Sequence, residues 1–420
     1  MGAHGALAAL SATCAALALG ALATVADSPA IASTVASSRL EATTGPRCDR
    51  LMRYEASDPL HVAGNRVVDA HGRQYVPDGI SVYGGLEQWN GLDPGVEQRV
   101  HAQIVAATRI WHVNTIRLQI AEGLYFQHPG PFLQELDREV HLITCEGAIA
   151  VINDNTLFTT NQPNPTRASV TFMEVLASRY KDLSNVIFDV FNEPRIEIAH
   201  ENRSLDSRAV WNLWKAGGNV DGVQYVGMQE LVDAIRREQA NNLVWVEGPR
   251  QASSLGRAER YPITGANVEL SFHHPKLDQP STWTELLRPT GHPRVEGEES
   301  QYSSPTRPEC YDSAYTELPK LLAALAKYHD GLVAWSLEPG VLIASRAARH
   351  VTDTILPSDP ASAAGLGRPS RLSPAYGCAT KRPTQGMGEL AMQFFRRYAA
   401  EDNPYAVFGH RHPHVPSGTP

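Results

Sequence analysis

The sequence predicts an α/β fold, a single-domain (β/α)8 (TIM) barrel, on three observations. Eight strand-like apolar runs, with amphipathic helical segments between most of them, span about 330 residues, within the range of such a barrel with insertions. No Gly-rich phosphate turn follows the first strand, which argues against a doubly wound open sheet. Polar and charged residues finish the strands, and a barrel gathers its chemistry at the C-terminal ends of its strands.

The chain begins outside that barrel. From Ala6 to Ala26 it is almost all Ala, Leu, Gly, Val, Ser and Thr, and Ala23-Thr24-Val25-Ala26 and Ala30-Ile31-Ala32 offer small-residue cleavage sites. Residues 1–32 are therefore expected to be a secretory signal peptide, although only His4, and no Lys or Arg, precedes the apolar run. An uncleaved anchor is the alternative, since about 20 apolar residues can span a bilayer; the weakly hydrophobic, Ala-rich content favours cleavage. A secreted protein with no stable membrane association after cleavage follows. Residues 33–50 read as a polar linker rich in Ser, Thr and Ala, residues 51–410 as the barrel domain, and residues 411–420 as a tail.

The barrel's elements follow in order. His61–Asp69 reads as a hairpin turning at Gly64-Asn65 and capping one end of the domain. The eight strands are expected from Tyr75 towards Val82, at Thr115–Gln119, Ala148–Asn153, Val186–Phe191, Leu243–Val246, Asn267–Phe272, Arg294–Gly297 and Leu332–Ser336. Between them, Val100, Ile104, Ala107 and Trp111 fall on one helical face at spacings of three and four. Further helices are expected at Phe132–Cys145, near Arg167–Tyr180, at Val226–Gln239, through Leu318, Leu321, Leu322, Leu325 and Tyr328, and at Gly388–Tyr398. A long segment without periodicity, Val341–Pro383, follows the eighth strand and is expected to wall one side of a cleft.

Composition narrows the function. The 420 residues carry a net charge of −8, so nucleic acid is not the expected partner, because phosphate binding wants a basic surface. After loss of Cys14 with the signal, Cys48, Cys145, Cys310 and Cys378 remain, and the export route favours disulfides among three possible pairings. No CxxC or Cys/His cluster points to zinc, and neither a metal nor another cofactor is expected.

The strand ends supply the candidate chemistry. The first strand ends in Ser81-Val82-Tyr83-Gly84-Gly85 and the second carries Arg117; the third ends in Asn153-Asp154-Asn155 and the fourth in Asn192-Glu193-Pro194. The fifth ends in Glu247-Gly248, the sixth in His273-His274, the seventh in Glu296-Gly297-Glu298-Glu299 and the eighth in Trp335-Ser336-Leu337-Glu338. Two carboxylates facing each other across a barrel mouth are the machinery of glycoside hydrolysis: one protonates the departing oxygen, the other attacks the anomeric carbon or activates water. Glu193 and Glu298, on the fourth and seventh strands, are the best such pair.

Phe191-Asn192-Glu193-Pro194 and Val295-Glu296-Gly297-Glu298 resemble the acid/base and nucleophile motifs of glycoside hydrolase family 5, the cellulase-like family. Arg117 in Asn114-Thr115-Ile116-Arg117, His273 in Ser271-Phe272-His273 and Trp335 in Ala334-Trp335-Ser336-Leu337 match in type and order, and the resemblance runs from about Val67 to Tyr398. It implies a retaining β-glycosidase acting on a β-linked glucan or mannan without a metal. Glu193 would be the acid/base and Glu298 the nucleophile. Asn192 would bond the sugar 2-hydroxyl, Arg117 would keep Glu298 ionised, His273 would join their network, and Trp335 would offer a sugar ring a flat face.

The sequence also departs from the family pattern. Asn153-Asp154-Asn155-Thr156 stands where a His is usual, and Pro275 where a Tyr usually contacts the nucleophile, leaving Tyr83 and Tyr302 as conceivable substitutes. Glu296, two residues before Glu298, is expected on the same face of the strand and is the runner-up nucleophile. Trp89, Trp211, Trp214 and Trp283 are either sugar platforms or packing residues, and Glu247 reads as a strand end rather than a ligand. A carbohydrate-binding barrel without catalysis and a transglycosylase using the same pair are the alternatives.

Overall fold

The structure is a computed structural model, described here for residues 59–160, 162–195, 207–273, 283, 286–287, 291–300, 312–338, 341–344, 366–371 and 386–400. The chain divides into two units, Met1–Thr43 and Thr44–Pro420, and every described residue belongs to the second. The expected signal, linker and tail, Cys48, Cys310, Cys378, His274, Pro275, Tyr302 and most of Val341–Pro383 lie outside the described residues.

Eight parallel strands close into the barrel the alternation predicts. They are β4 (Asp78–Val82), β5 (Thr115–Ile120), β6 (Ile149–Asp154), β7 (Val186–Asp189), β10 (Val244–Glu247), β11 (Val268–His273), β12 (Arg294–Glu299) and β13 (Gly331–Ala334), each hydrogen-bonded to the next and β13 back to β4. Below them, β1 (His61–Ala63), β2 (Arg66–Val68) and β3 (Gln74–Tyr75) form the expected antiparallel hairpin with one extra short strand. The expected strand at Tyr75–Val82 is thus two strands, broken at Val76-Pro77, where proline removes a backbone donor.

The helices lie outside and bury the faces their spacing implies. In α1 (Pro94–Arg109), Val100, Ile104 and Ala107 are buried together with Trp111 just beyond its end. The short α2 (Glu122–Gln127) leads into α3 (Pro129–Cys145), and a single turn, α4 (Leu157–Thr160), precedes α5 (Arg167–Tyr180), capped by Thr166. After α6 (Arg208–Ala216), the expected helix Val226–Gln239 is shorter, α7 (Met228–Arg237). Its N-terminal end is given to a two-stranded hairpin, β8 (Gly217–Val220) and β9 (Val223–Val226), that turns at Asp221-Gly222 with both residues at positive φ. In α8 (Asp312–Tyr328), Leu318, Leu321, Leu322 and Leu325 are buried, but Tyr328 is exposed at the last turn with the Lys327 ammonium over its ring. The last helix is α9 (Gly388–Ala400).

Two apolar zones result. The larger lies between strands and helices. The smaller fills the lower barrel interior, where Leu60, Val67 and Tyr75 of the hairpin pack with Ile149, Val151, Ile187, Trp245, Val295 and Val333. The Tyr75 hydroxyl and Thr115 Oγ1, 2.6 Å apart, share a hydrogen bond, and Val62 N donates to Asn267 Oδ1 at 3.0 Å, so the hairpin is fastened as well as packed. Above this plug the inward positions turn polar.

Two described stretches of the long segment after β13 can be followed. Ile343 pairs with Pro369 in an antiparallel bridge, and Trp111 Nε1 donates to the Leu366 carbonyl at 2.8 Å. Among the described residues, no helix is long and apolar enough to cross a membrane.

Candidate active site

Arg117 is the centre of the upper interior. It lies inward on β5, fully buried, and every nitrogen of its guanidinium finds an oxygen. Nε donates to Asp189 Oδ2 at 2.8 Å, Nη1 to Glu298 Oε2 at 2.7 Å, and Nη2 to both Asn192 Oδ1 at 2.7 Å and Glu247 Oε1 at 2.8 Å. Burial works against the charge, but Asp189, Glu247 and Glu298 outweigh it and hold the guanidinium's pKa above its ordinary value. Only a guanidinium presents enough fixed donors for this set. Asp189 is pushed up to about 7 by burial and by Glu247, against the pull of Arg117.

Glu193 follows β7 in a tight turn. Asn192 N donates to the Asp154 carbonyl at 2.9 Å, and Glu193 itself has φ +49°, a left-handed conformation that side chains other than glycine rarely adopt. Its N–H donates to Glu247 Oε2 at 2.5 Å. The side chain is only partly covered, with Arg195 Nη2 3.9 Å from Oε2 and His273 Nδ1 3.5 Å from Oε1. The other ring nitrogen of His273 lies 3.2 Å from Glu247 Oε1. Burial opposes a charged imidazole there, but Glu247, Glu193 and Glu298 raise the His273 pKa well above its usual range.

Glu298 reaches this site through an irregularity that alternation could not reveal. Phe272 pairs with Glu296 but His273 pairs with Glu298, so Gly297 is an extra residue opposite the β11 ladder. Residues paired across parallel strands share a face. Glu296 therefore shares the outward face of Phe272 and Leu332, while Glu298 shares the inward face of His273. The expectation that Glu296 and Glu298 share a face is corrected, and with it Glu296 loses its standing as the runner-up nucleophile. Glycine leaves room at the bulge: a Cβ on Gly297 would sit 2.1 Å from Ser271 Oγ and 3.2 Å from His273 Nε2, so those side chains would have to shift.

The result is a close group of three. One carboxylate oxygen of Glu193, one of Glu298 and a ring nitrogen of His273 all lie within 4.8 Å of one another. Carboxyl groups about 5 Å apart are spaced for direct attack by one of them; pairs that activate a water stand about 6.5–9.5 Å apart. Among the described residues this trio is also the one set of donors close enough to hold a cation. Glu298 already holds the positive guanidinium of Arg117 there.

Trp335 follows β13, half-buried, with its ring centroid 5.0 Å from that of Tyr83 at an interplanar angle of 58°. Tyr83 thus stands beside the expected sugar platform, and burial with Glu338 and Glu87 nearby raises its hydroxyl pKa to about 12. Trp211 and Trp214 are fully buried and pack edge to face, so they belong to the core, whereas Trp89 is exposed. Two acidic partners are not legible as such in the sequence: Asp189, hidden inside an apolar run, and Glu247, which reads as a strand end. Their only sequence signal is inward parity, Asp189 pairing with Trp245 and Glu247 lying two residues after it.

A closed barrel whose upper mouth joins two facing carboxylates to an arginine and a histidine has the build of a (β/α)8 glycoside hydrolase. The family model for cellulase (glycosyl hydrolase family 5) matches residues 68–338, and the chain belongs to that family. Endoglucanase E-5 of Thermobifida fusca is 24% identical over 245 residues, 54% of this chain and 45% of that protein. Endoglucanase Z of Dickeya dadantii (strain 3937) is 22% identical over 225 residues, 52% of this chain and 46% of that protein. The chain spans about half the length of the curated relatives it matches. Among solved structures, the catalytic domain of Thermobifida fusca endoglucanase Cel5A (E5) superposes with a TM-score of 0.53 at 16% identity, covering 82% of this chain and 99% of that one. A thermostable, halotolerant family 5 cellulase from an Icelandic hot spring isolate gives 0.55 at 16% identity, with 82% and 96% covered.

Proposed function

We propose that this protein is an exported retaining β-glycosidase that cleaves a β-linked glucan or mannan by double displacement. The observation that carries the reading is the close approach of Glu193 and Glu298, with Glu298 bonded to Arg117. In the first step a Glu298 oxygen forms a bond to the anomeric carbon. The bond from that carbon to the leaving oxygen breaks, and Glu193 gives the leaving oxygen its proton. In the second step water attacks the same carbon and gives a proton to Glu193, and the Glu298 carboxylate is released. Asn192, held by Arg117, would meet the sugar 2-hydroxyl, and Trp335 would carry a ring on its face. The relatives' description as endoglucanases favours a β-glucan and cleavage within the chain. The apolar leader supports export.

The test is reducing-sugar release from β-glucans and β-mannans by the parent protein, Glu193→Gln and Glu298→Ala, with the anomer first released followed by NMR. Activity with retention in the parent, lost by roughly 10²–10⁴-fold in Glu193→Gln on unactivated substrates, is the expected result. Inversion, or full activity in Glu298→Ala, would overturn the reading. N-terminal sequencing of exported protein is expected to begin at Asp27 or Ser33, after one of the two small-residue sites.

A further inference from the structure

We propose that Glu247 is a positioning residue for the acid/base Glu193: its carboxylate holds the Glu193 main chain in the conformation that aims the side chain at the leaving oxygen. The proposal rests on the glycosidase reading and deepens it.

Glu247 ends β10, fully buried, and both its oxygens are engaged by groups of the site. Oε2 accepts the Glu193 N–H at 2.5 Å, while Oε1 accepts Arg117 Nη2 at 2.8 Å and lies 3.2 Å from His273 Nε2. One side chain thus contacts the backbone of the acid/base, the cation that holds the nucleophile, and the imidazole beside both. Glu193 has a backbone with φ +49°, and such a conformation persists only where surrounding bonds over-determine it.

Glu247 is itself anchored. Trp214 Nε1, fully buried on α6, donates to the Glu247 carbonyl at 2.8 Å. The turn that follows extends the ties on both sides. Gln251 N donates to the Pro194 carbonyl at 3.1 Å, and His273 N donates to the Ala252 carbonyl at 3.0 Å. Residues 247–252 therefore fasten the end of β7 to the end of β11, with Glu247 as their innermost contact.

The chemistry of the position requires a carboxylate. Donors approach both oxygens, and a glutamine offers one acceptor and one NH2 group. Whichever way the amide is turned, its NH2 faces either the Glu193 N–H or the Arg117 guanidinium. Arg117 keeps Asp189, Glu298 and Asn192 when Glu247 is replaced, so the larger displacement falls on Glu193.

Leaving-group dependence tests this directly. The dinitrophenolate of a dinitrophenyl β-cellobioside departs without a proton, whereas an unactivated cellooligosaccharide needs Glu193 as acid. For Glu247→Gln the expected result is a fall in kcat/KM of about 100-fold on the oligosaccharide but less than about 10-fold on the dinitrophenyl substrate, the size of effect a misplaced acid produces. Equal losses on both substrates, or no loss on the oligosaccharide, would overturn the role. Trp214→Phe, which removes the N–H donated to the Glu247 carbonyl, carries the same test at smaller amplitude if Glu247→Gln does not fold. A parent protein silent on both substrates would instead overturn the glycosidase reading, and the two failures are distinct.

Discussion

Two buried carboxyl groups on adjacent strands of the same barrel have opposite surroundings. Glu247 stands at the upper end of β10 among the Arg117 guanidinium, the His273 imidazole and the Glu193 N–H. Glu269, lower on β11, lies between the apolar plug and a cavity at the lower end that Arg66, Arg294 and Asp330 also line. Its Oε2 accepts a hydrogen bond from Trp245 Nε1 at 2.6 Å, and burial, with Asp330 nearby, raises its pKa to about 8. Both are fully or almost fully buried. Depth alone therefore does not make a site; the donors gathered around the acid do. The upper end collects charges that hold one another, and at the lower end, closed by a hairpin, burial favours the protonated carboxyl.

Arg117→Lys should disturb the upper end most. An ammonium cannot reach all four oxygens, so the carboxylates would be left crowded without their common partner. Loss of stability by about 3–5 kcal/mol in urea unfolding is expected, with activity reduced by about 10²-fold or more. A lysine variant with parental stability would mean the network carries little energy.

Gly297→Ala should come next, because the added Cβ meets Ser271 Oγ and crowds His273, so side chains beside Glu298 must shift. A cost of about 1–3 kcal/mol is expected, together with a kcat loss larger than the KM change, since Glu298 is displaced.

The lower end responds to pH instead. Glu269 binds its proton more tightly in the folded chain than in the unfolded one, and stability gained from that proton is present in acid and lost as pH rises towards about 8. Burial acts in the same direction on Glu87, Glu122 and Glu338, each raised to about 7, and on Asp330, raised to about 6. Thermal midpoints should therefore decline as pH is raised from about 5 to about 8. Glu269→Gln should flatten that decline and exceed the parent at high pH, a tenfold change in proton affinity being worth about 1.4 kcal/mol. A parent midpoint that climbs over this range would contradict the burial of these acids as neutral groups.

The smallest effect is expected at the rim. Trp335→Ala removes the ring that packs on Tyr83. If that ring carries a sugar as proposed, loss of about 0.5–1.5 kcal/mol of ring contact to the substrate predicts KM raised by roughly two- to tenfold with kcat little changed.

Much of the molecule is legible in its sequence, for a physical reason. Strand and helix periods are local, so eight strands interleaved with helices announce a barrel, and residues that finish consecutive strands must meet at its mouth. That logic places Arg117, Asn192, Glu193, His273 and Glu298 at the mouth, the family resemblance picks them out from the other strand-end residues, and the bulge at Gly297 turns Glu298 inward. Glu247 reads as a mere strand end because its partners lie 54 and 130 residues away, and no local pattern pairs them. Asp189 is hidden in an apolar run. The face of Glu296 comes out wrong because the alternation rule assumes an unbroken pleat, and Gly297 breaks it. The β8–β9 hairpin escapes notice because the apolar spacing of α7 runs on into Val226, beyond the helix's true start.

Every step of the proposed chemistry depends on Glu298 attacking the sugar while Glu193 manages the proton. The decisive measurement is to incubate the protein with a 2-deoxy-2-fluoro β-cellobioside carrying a dinitrophenyl leaving group, then locate the trapped sugar by peptide mass spectrometry. The expected result is one fluoroglycosyl group on the peptide containing Glu298, attached at that residue. A label on Glu296 or Glu299, or turnover with inversion and no adduct, would contradict it.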